Sequence, residues 1–191
     1  MRARRGEIAY GGRVTEPAAE SAAEPAPAPR GDTRPPALDT DEKSVLLGFL
    51  NYLRGTIASK AEGLDDQQAR TPGVPSGTSL LGLIKHLTAA EINWFVRGYV
   101  GADVEIADLS MQLTGDETAA EVLAGYRAAV AQANEAIEAA DDLSGRAVRG
   151  TKRTPDPHSL RWILVHMIEE TARHAGHADI LREQLDGSTG R

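Results

Sequence analysis

The stretch SLRWILVHMIEETARHAGHADILREQL, residues 159–185, decides how this chain is read. At about 100° per residue its apolar side chains Ile163, Met167, Leu181 and Leu185 fall on one stripe, which predicts a long amphipathic helix. His166, Glu170, His174 and His177 fall in the middle of the same stripe. Three imidazoles and a carboxylate on a face meant for burial need a partner, because unpaired buried polar groups are costly. A metal ion is the simplest partner. Residues three or four apart on a helix are neighbours, so His166/Glu170, Glu170/His174 and His174/His177 can each share an ion.

One helix readily supplies two ligands, and a compact tetrahedral site needs a third from elsewhere. His86, in another helix, is the best-placed donor. The expected sphere is imidazole, carboxylate and imidazole with an open position, which is the catalytic rather than the structural zinc pattern. The spacing His-x3-Glu-x3-His differs from His-Glu-x-x-His, so a metalloprotease is disfavoured. The same residues also read as a hydrogen-bonded polar network without a metal. His166 is expected to orient a ligand rather than be one. His177 is the candidate for lining the cavity or transferring a proton, and His158 reads as a surface residue.

Outward from this helix, residues 1–38 read as a disordered Pro/Ala-rich tail, because almost nothing in them can be buried. Residues 39–191 read as the folded domain. Asp39, with Glu42 three residues on, marks the start of a first helix whose buried face is Leu46, Leu50, Leu53 and Ile57. DDQQARTPGVPSGTS, residues 65–79, reads as a loop; its GVPSG is not the Gly-x-Ser-x-Gly of a nucleophile elbow. A second helix runs from about Thr78 to near Gly101 with Leu80, Leu83, Ile84, Leu87 and Trp94 on its core face. His86 sits at the edge of that face, with Asn93 and Arg97 further along the same side. Asp116 caps a third helix carrying Val122, Tyr126, Val130, Ala133 and Ile137 on its stripe. A polar loop over 141–158 precedes the last helix, and Gly187 stops it. Four long helices with no period-two segment make an all-α four-helix bundle, an architecture that builds metal sites from facing helices.

Composition narrows the function. The net charge of −7 repels nucleic acid and anionic membrane. Without cysteine there is no disulfide framework and no thiolate nucleophile. No run of about 18 apolar residues suggests a membrane span, and no hydrophobic segment follows the N-terminal arginines, so the cytoplasm is the default location.

The segments SLLGLIKHLTAAEINWF (79–95) and LRWILVHMIEETARHAGHADILREQLDG (160–187) resemble the DinB/YfiT-like superfamily. More narrowly they resemble its mini-circle-protein branch, related to the N-terminal domain of mycothiol-dependent maleylpyruvate isomerase. The resemblance spans about Pro36 to Gly187. It implies a DinB-like four-helix bundle that binds a divalent metal through His86, Glu170 and His174, the glutamate variant of the family's triad. It further implies activation of a low-molecular-weight thiol, such as mycothiol or bacillithiol, as cosubstrate.

Three readings follow. The first is a metal-dependent thiol S-transferase or isomerase-like enzyme acting on a small electrophile, with Asn93 and Arg97 contacting an anionic group. Zn2+ is the expected ion, with Ni2+, Fe2+ or Mn2+ compatible with the same ligands. The second is non-haem iron chemistry, since two histidines and a carboxylate also make the Fe(II) facial triad. The third is a metal-stabilised binding or stress protein without turnover. A homodimer is the expected assembly.

Overall fold

A computed structural model describes residues 34–151 and 154–190. The expected tail therefore lies almost wholly outside the described residues. The architecture is all-α: α1 (Glu42–Ser59), α2 (Asp66–Arg70), α3 (Leu80–Glu91), α4 (Ala119–Glu138) and α5 (Leu160–Asp186). Helix α3 runs on without a break into a π-helical segment, Ile92–Tyr99. Among the described residues there is no strand, only an isolated antiparallel bridge between Arg146 and Ser159.

The last helix begins where the sequence places it. The Ser159 hydroxyl accepts from the Trp162 amide, and Gly187 takes the left-handed conformation (φ 70°) that ends the helix. Two other starts are shifted. Asp41, not Asp39, caps α1 by accepting from the Ser44 amide. Thr118, not Asp116, caps α4 in a capping box with Glu121. The segment expected to be all loop contains α2, nucleated by a second capping box between Asp65 and Gln68.

Helix α1 packs on α5, and α3 packs on α4. Two apolar clusters fill the interior. One gathers Ile57, Leu81, Ile84, Tyr126 and Ala178; the other gathers Leu50, Phe95, Ile137, Ile163 and Met167. Arg54 stands on α1 between Leu50 and Ile57, fully buried. Its Nε and Nη2 donate to the two carboxylate oxygens of Glu91 at 2.7 and 2.5 Å. Its Nη1 donates to Asn51 and Asn134, both at 2.8 Å. Burial pushes the Glu91 carboxyl up, and Arg54 opposes that shift. At the other end, Arg182 donates to the carbonyls of Lys60 and Glu62, tying α5 to the end of α1.

The connector between the π segment and α4 folds back over α3. Asn93 clamps it, donating to the Ala107 carbonyl and accepting from the Ala107 amide at 2.9 Å each. Gly82 gives it room: a Cβ there would stand 2.7 Å from the Met111 carbonyl oxygen. This path carries the Leu109 carbonyl to His86.

Candidate metal centre

His86 from α3 and Glu170 and His174 from α5 offer ligand atoms that all lie within 4.8 Å of one another. His86 Nε2 is 3.0 Å from Glu170 Oε1, and His174 Nε2 is 3.2 Å from the same oxygen. The His86 ring is oriented by its other nitrogen: Nδ1 lies 2.7 Å from the Leu109 carbonyl oxygen. A carbonyl only accepts, so the proton of a neutral His86 belongs on Nδ1. Its Nε2 then presents a lone pair to the lone pairs of Glu170, an arrangement that a cation relieves. Ligands about 2 Å from a tetrahedral ion stand roughly 3.3 Å apart, close to the 3.0 and 3.2 Å that separate the two imidazoles from Glu170 Oε1. The donor set therefore fits a divalent metal.

Electrostatics support the ligand state. Burial holds His174 below the ordinary histidine value, keeping it neutral. Glu170 is displaced downward: burial raises its carboxyl, but His86 and His174 together outweigh that. Arg173 approaches Glu170 at 3.7 Å while also pairing with Glu169.

His86 and Glu170 line a cavity of about 440 Å³ between α3 with its π segment and α5, and His174 stands behind them, off its wall. Trp94, Arg97, Ile106, Leu109, Trp162 and His166 contribute to its walls. The π segment matters here. It carries both Trp94 and Arg97 onto the cavity side, although the sequence pattern assigns Trp94 to the core.

The other expected site residues are placed as follows. Asn93 lines the cavity, but both ends of its amide are engaged by Ala107. Arg97 lines it without a hydrogen bond or ion pair among the described residues. His166 also lines it, its Nδ1 4.0 Å from Glu169, and burial lowers its pKa. Among the described residues it makes no hydrogen bond to a triad member. His177 is exposed and off the cavity wall, its ring 5.5 Å from that of His174. His158 is not a simple surface residue: its ring stacks on Trp162 at 3.7 Å and its Nε2 is buried.

On α5 the histidines do not occupy the middle of the buried stripe. Its centre is held by Met167, Thr171 and Ala178, so His174 lies inside the stripe, Glu170 at its margin and His177 outside. Small residues such as Ala178 carry little hydropathy signal, and omitting them displaces the apparent centre. Sequence reasoning also missed the Leu109 carbonyl, a backbone group that no residue type announces, and the Arg54–Glu91 pair, whose polar types argue for exposure.

Fold and triad together define the class: a DinB-like helical bundle with a candidate metal site between α3 and α5. The mycothiol-S-transferase family model matches residues 45–187, and the chain belongs to that family. No curated protein matches it significantly. No helix of the described residues is long and apolar enough to cross a membrane.

Proposed function

We propose that this protein is a metal-dependent S-transferase that joins a mycothiol-type thiol to a small electrophile. The observation that carries this reading is the convergence of three lone-pair atoms, His86 Nε2, Glu170 Oε1 and His174 Nε2, beside a cavity large enough for a small molecule, whose wall includes His86 and Glu170. His86, Glu170 and His174 would hold a divalent ion, Zn2+ in our reading, which would supply the positive charge that favours a thiolate at neutral pH. The Leu109 carbonyl fixes the His86 tautomer, and the apolar walls Ala90, Trp94, Ile106 and Leu109 limit water around the sulfur. In the transfer the thiol loses its proton, its sulfur bonds to the electrophilic carbon, and the leaving group departs with the bonding electron pair. His177, exposed beside His174, is the group we assign to passing that proton to solvent. Arg97 is the group we assign to an anionic part of the electrophile. Asn93 serves the site by holding the connector.

Metal content and mycothiol consumption with a panel of electrophiles test this. About one equivalent of divalent metal is expected, lost in His86→Ala and His174→Ala together with mycothiol consumption. Metal-loaded protein that consumes neither mycothiol nor bacillithiol sinks the transferase reading. Because the triad bridges two helices, a metal tie without turnover is the second reading. It predicts that His86→Ala lowers the melting temperature of the metal-loaded protein while no thiol is consumed by the parent.

A further inference from the structure

The cavity is lined along its length, and the lining has an order. His86 meets Glu170, while Trp94 meets Trp162 and His166 at ring separations of 5.4 and 5.0 Å. Eight residues forward on the α3 side thus correspond to four to eight residues back on α5, so the two walls run antiparallel. At about 1.5 Å per residue the tryptophans stand roughly 12 Å along the helix axis from His86. Arg97 lies one turn further. The cavity is therefore a slot with His86 and Glu170 toward one end, rings in the middle and a cation beyond.

The rings are preorganised. His158, Trp162 and His166 follow one another at one-turn spacing, with Trp162 stacked at 3.7 Å and 12° on His158 and at 5.1 Å and 25° on His166. Trp94 closes against this stack at 49° to Trp162 and 67° to His166. His158 and His166 flank the two faces of Trp162, so a flat ring entering the cavity meets the exposed edge of Trp162 beside Trp94, and edge-on contact is one of the arrangements aromatic pairs prefer. Core packing alone does not account for this cluster. Trp162 keeps 40 % of its surface exposed, and both tryptophans of the chain border the same cavity. Among the described residues the two lining cations, Arg97 and Arg173, also differ. Arg173 is neutralised by Glu169, whereas Arg97 has no carboxylate partner among the described residues.

We propose that the Trp94–Trp162 corner and Arg97 form a subsite for a planar aromatic anion, which makes the electrophilic cosubstrate an aromatic compound bearing a carboxylate or similar group distal to its reactive carbon. This rests on the reading of the triad as the thiol-transfer centre, but binding at the subsite is measurable without turnover. The probe is 2-naphthoate, followed by calorimetry and by tryptophan fluorescence on metal-loaded full-length protein. Saturable binding with tryptophan quenching is expected. On the order of tenfold weaker binding is expected for neutral 2-naphthamide and for cyclohexanecarboxylate. Arg97→Gln is expected to bind 2-naphthoate and 2-naphthamide alike, and Trp162→Leu to weaken 2-naphthoate at least as much, with metal content unchanged in both. Equal binding of the anion and the amide to the parent protein overturns the proposal, as does cyclohexanecarboxylate binding as tightly as 2-naphthoate. Mycothiol displacing 2-naphthoate competitively also overturns it, because the wall then belongs to the thiol's sugars. If 2-naphthoate binds as expected but no thiol is consumed, the subsite stands and the transferase reading falls. If thiol is consumed with small aliphatic electrophiles while 2-naphthoate fails to bind, the reverse holds.

Discussion

His174 is tied to Glu170 through Nε2, but its other ring nitrogen has no such tie. Its Nδ1 is buried without a partner, and so is Thr171 Oγ1, three residues earlier on the same helix. A neutral His174 that offers Nε2 to an ion carries its proton on Nδ1, and residues three apart are neighbours on a helix. The two groups are not bonded to each other in this structure, and we expect Thr171 to accept from Nδ1 when His174 holds an ion. Thr171→Val keeps the shape and removes the acceptor. Chelator competition is expected to show metal affinity lower by about tenfold, with melting unchanged or slightly raised because a buried orphan hydroxyl is gone. Unaltered affinity removes Thr171 from the site. The contrast with His86 is instructive: its orientation comes from Leu109, far away in sequence, and only the folded chain brings the two together.

At the scale of elements, the switch from α3 to the π segment is the feature that shapes the cavity. It begins directly after Glu91, which Arg54 holds by two hydrogen bonds, and Phe95 packs its ring 5.7 Å from the same guanidinium. The pair thus anchors the point where the helix changes winding. A buried ion pair has little net value over an apolar substitute, yet losing one partner strands the other charge. Arg54→Met is accordingly expected to cost about 3–5 kcal/mol in urea unfolding, and adding Glu91→Met to recover most of that loss. A double variant no more stable than the single one refutes this account. Periodicity located the long helices because each buries a stripe of Leu, Ile, Val or Ala. It did not reveal the π winding, since a pattern with Trp94 on the core face and Asn93 and Arg97 on the side of His86 carries no mark of whether the ladder skips four residues or five. Caps were legible only to within two residues, because Asp39/Asp41 and Asp116/Thr118 offer competing acceptors and the geometry of chain entry chooses between them.

The whole molecule closes at its base through charges. Arg182, fixed on the end of α1, draws the Asp186 carboxyl down to about 2, with Ser188 assisting. Lys85 and the Thr114 amide likewise draw Glu117 down to about 2, fastening the connector to α3. Both folded values lie below the ordinary ones of 3.8 and 4.5, so the stabilisation is complete above that range and is lost as pH falls toward about 2. Thermal stability is expected to weaken gradually as pH falls below about 6.5, where the unfolded chain protonates His166 and His174 before the folded one does, and to drop steeply below about pH 4.5. Asp186→Asn is expected to lower the plateau and flatten the acid limb. An acid limb as steep as the parent's shows that Asp186 is not part of it.

Sequence alone determined the helical class and the approximate extent of each long helix, because burial stripes are written locally in residue type and spacing. Spacing narrowed the ligands to the histidines and Glu170 of the last helix with His86, and only the family resemblance picked His86, Glu170 and His174 among them. Tertiary structure alone decided which side chains face one another. It set Glu170 at the margin of the α5 stripe, turned Asn93 into a clamp, and assembled Trp94, Trp162 and Arg97 around one cavity. Those outcomes depend on how two antiparallel helices and a folded-back connector meet, a relation between distant segments that no local pattern encodes.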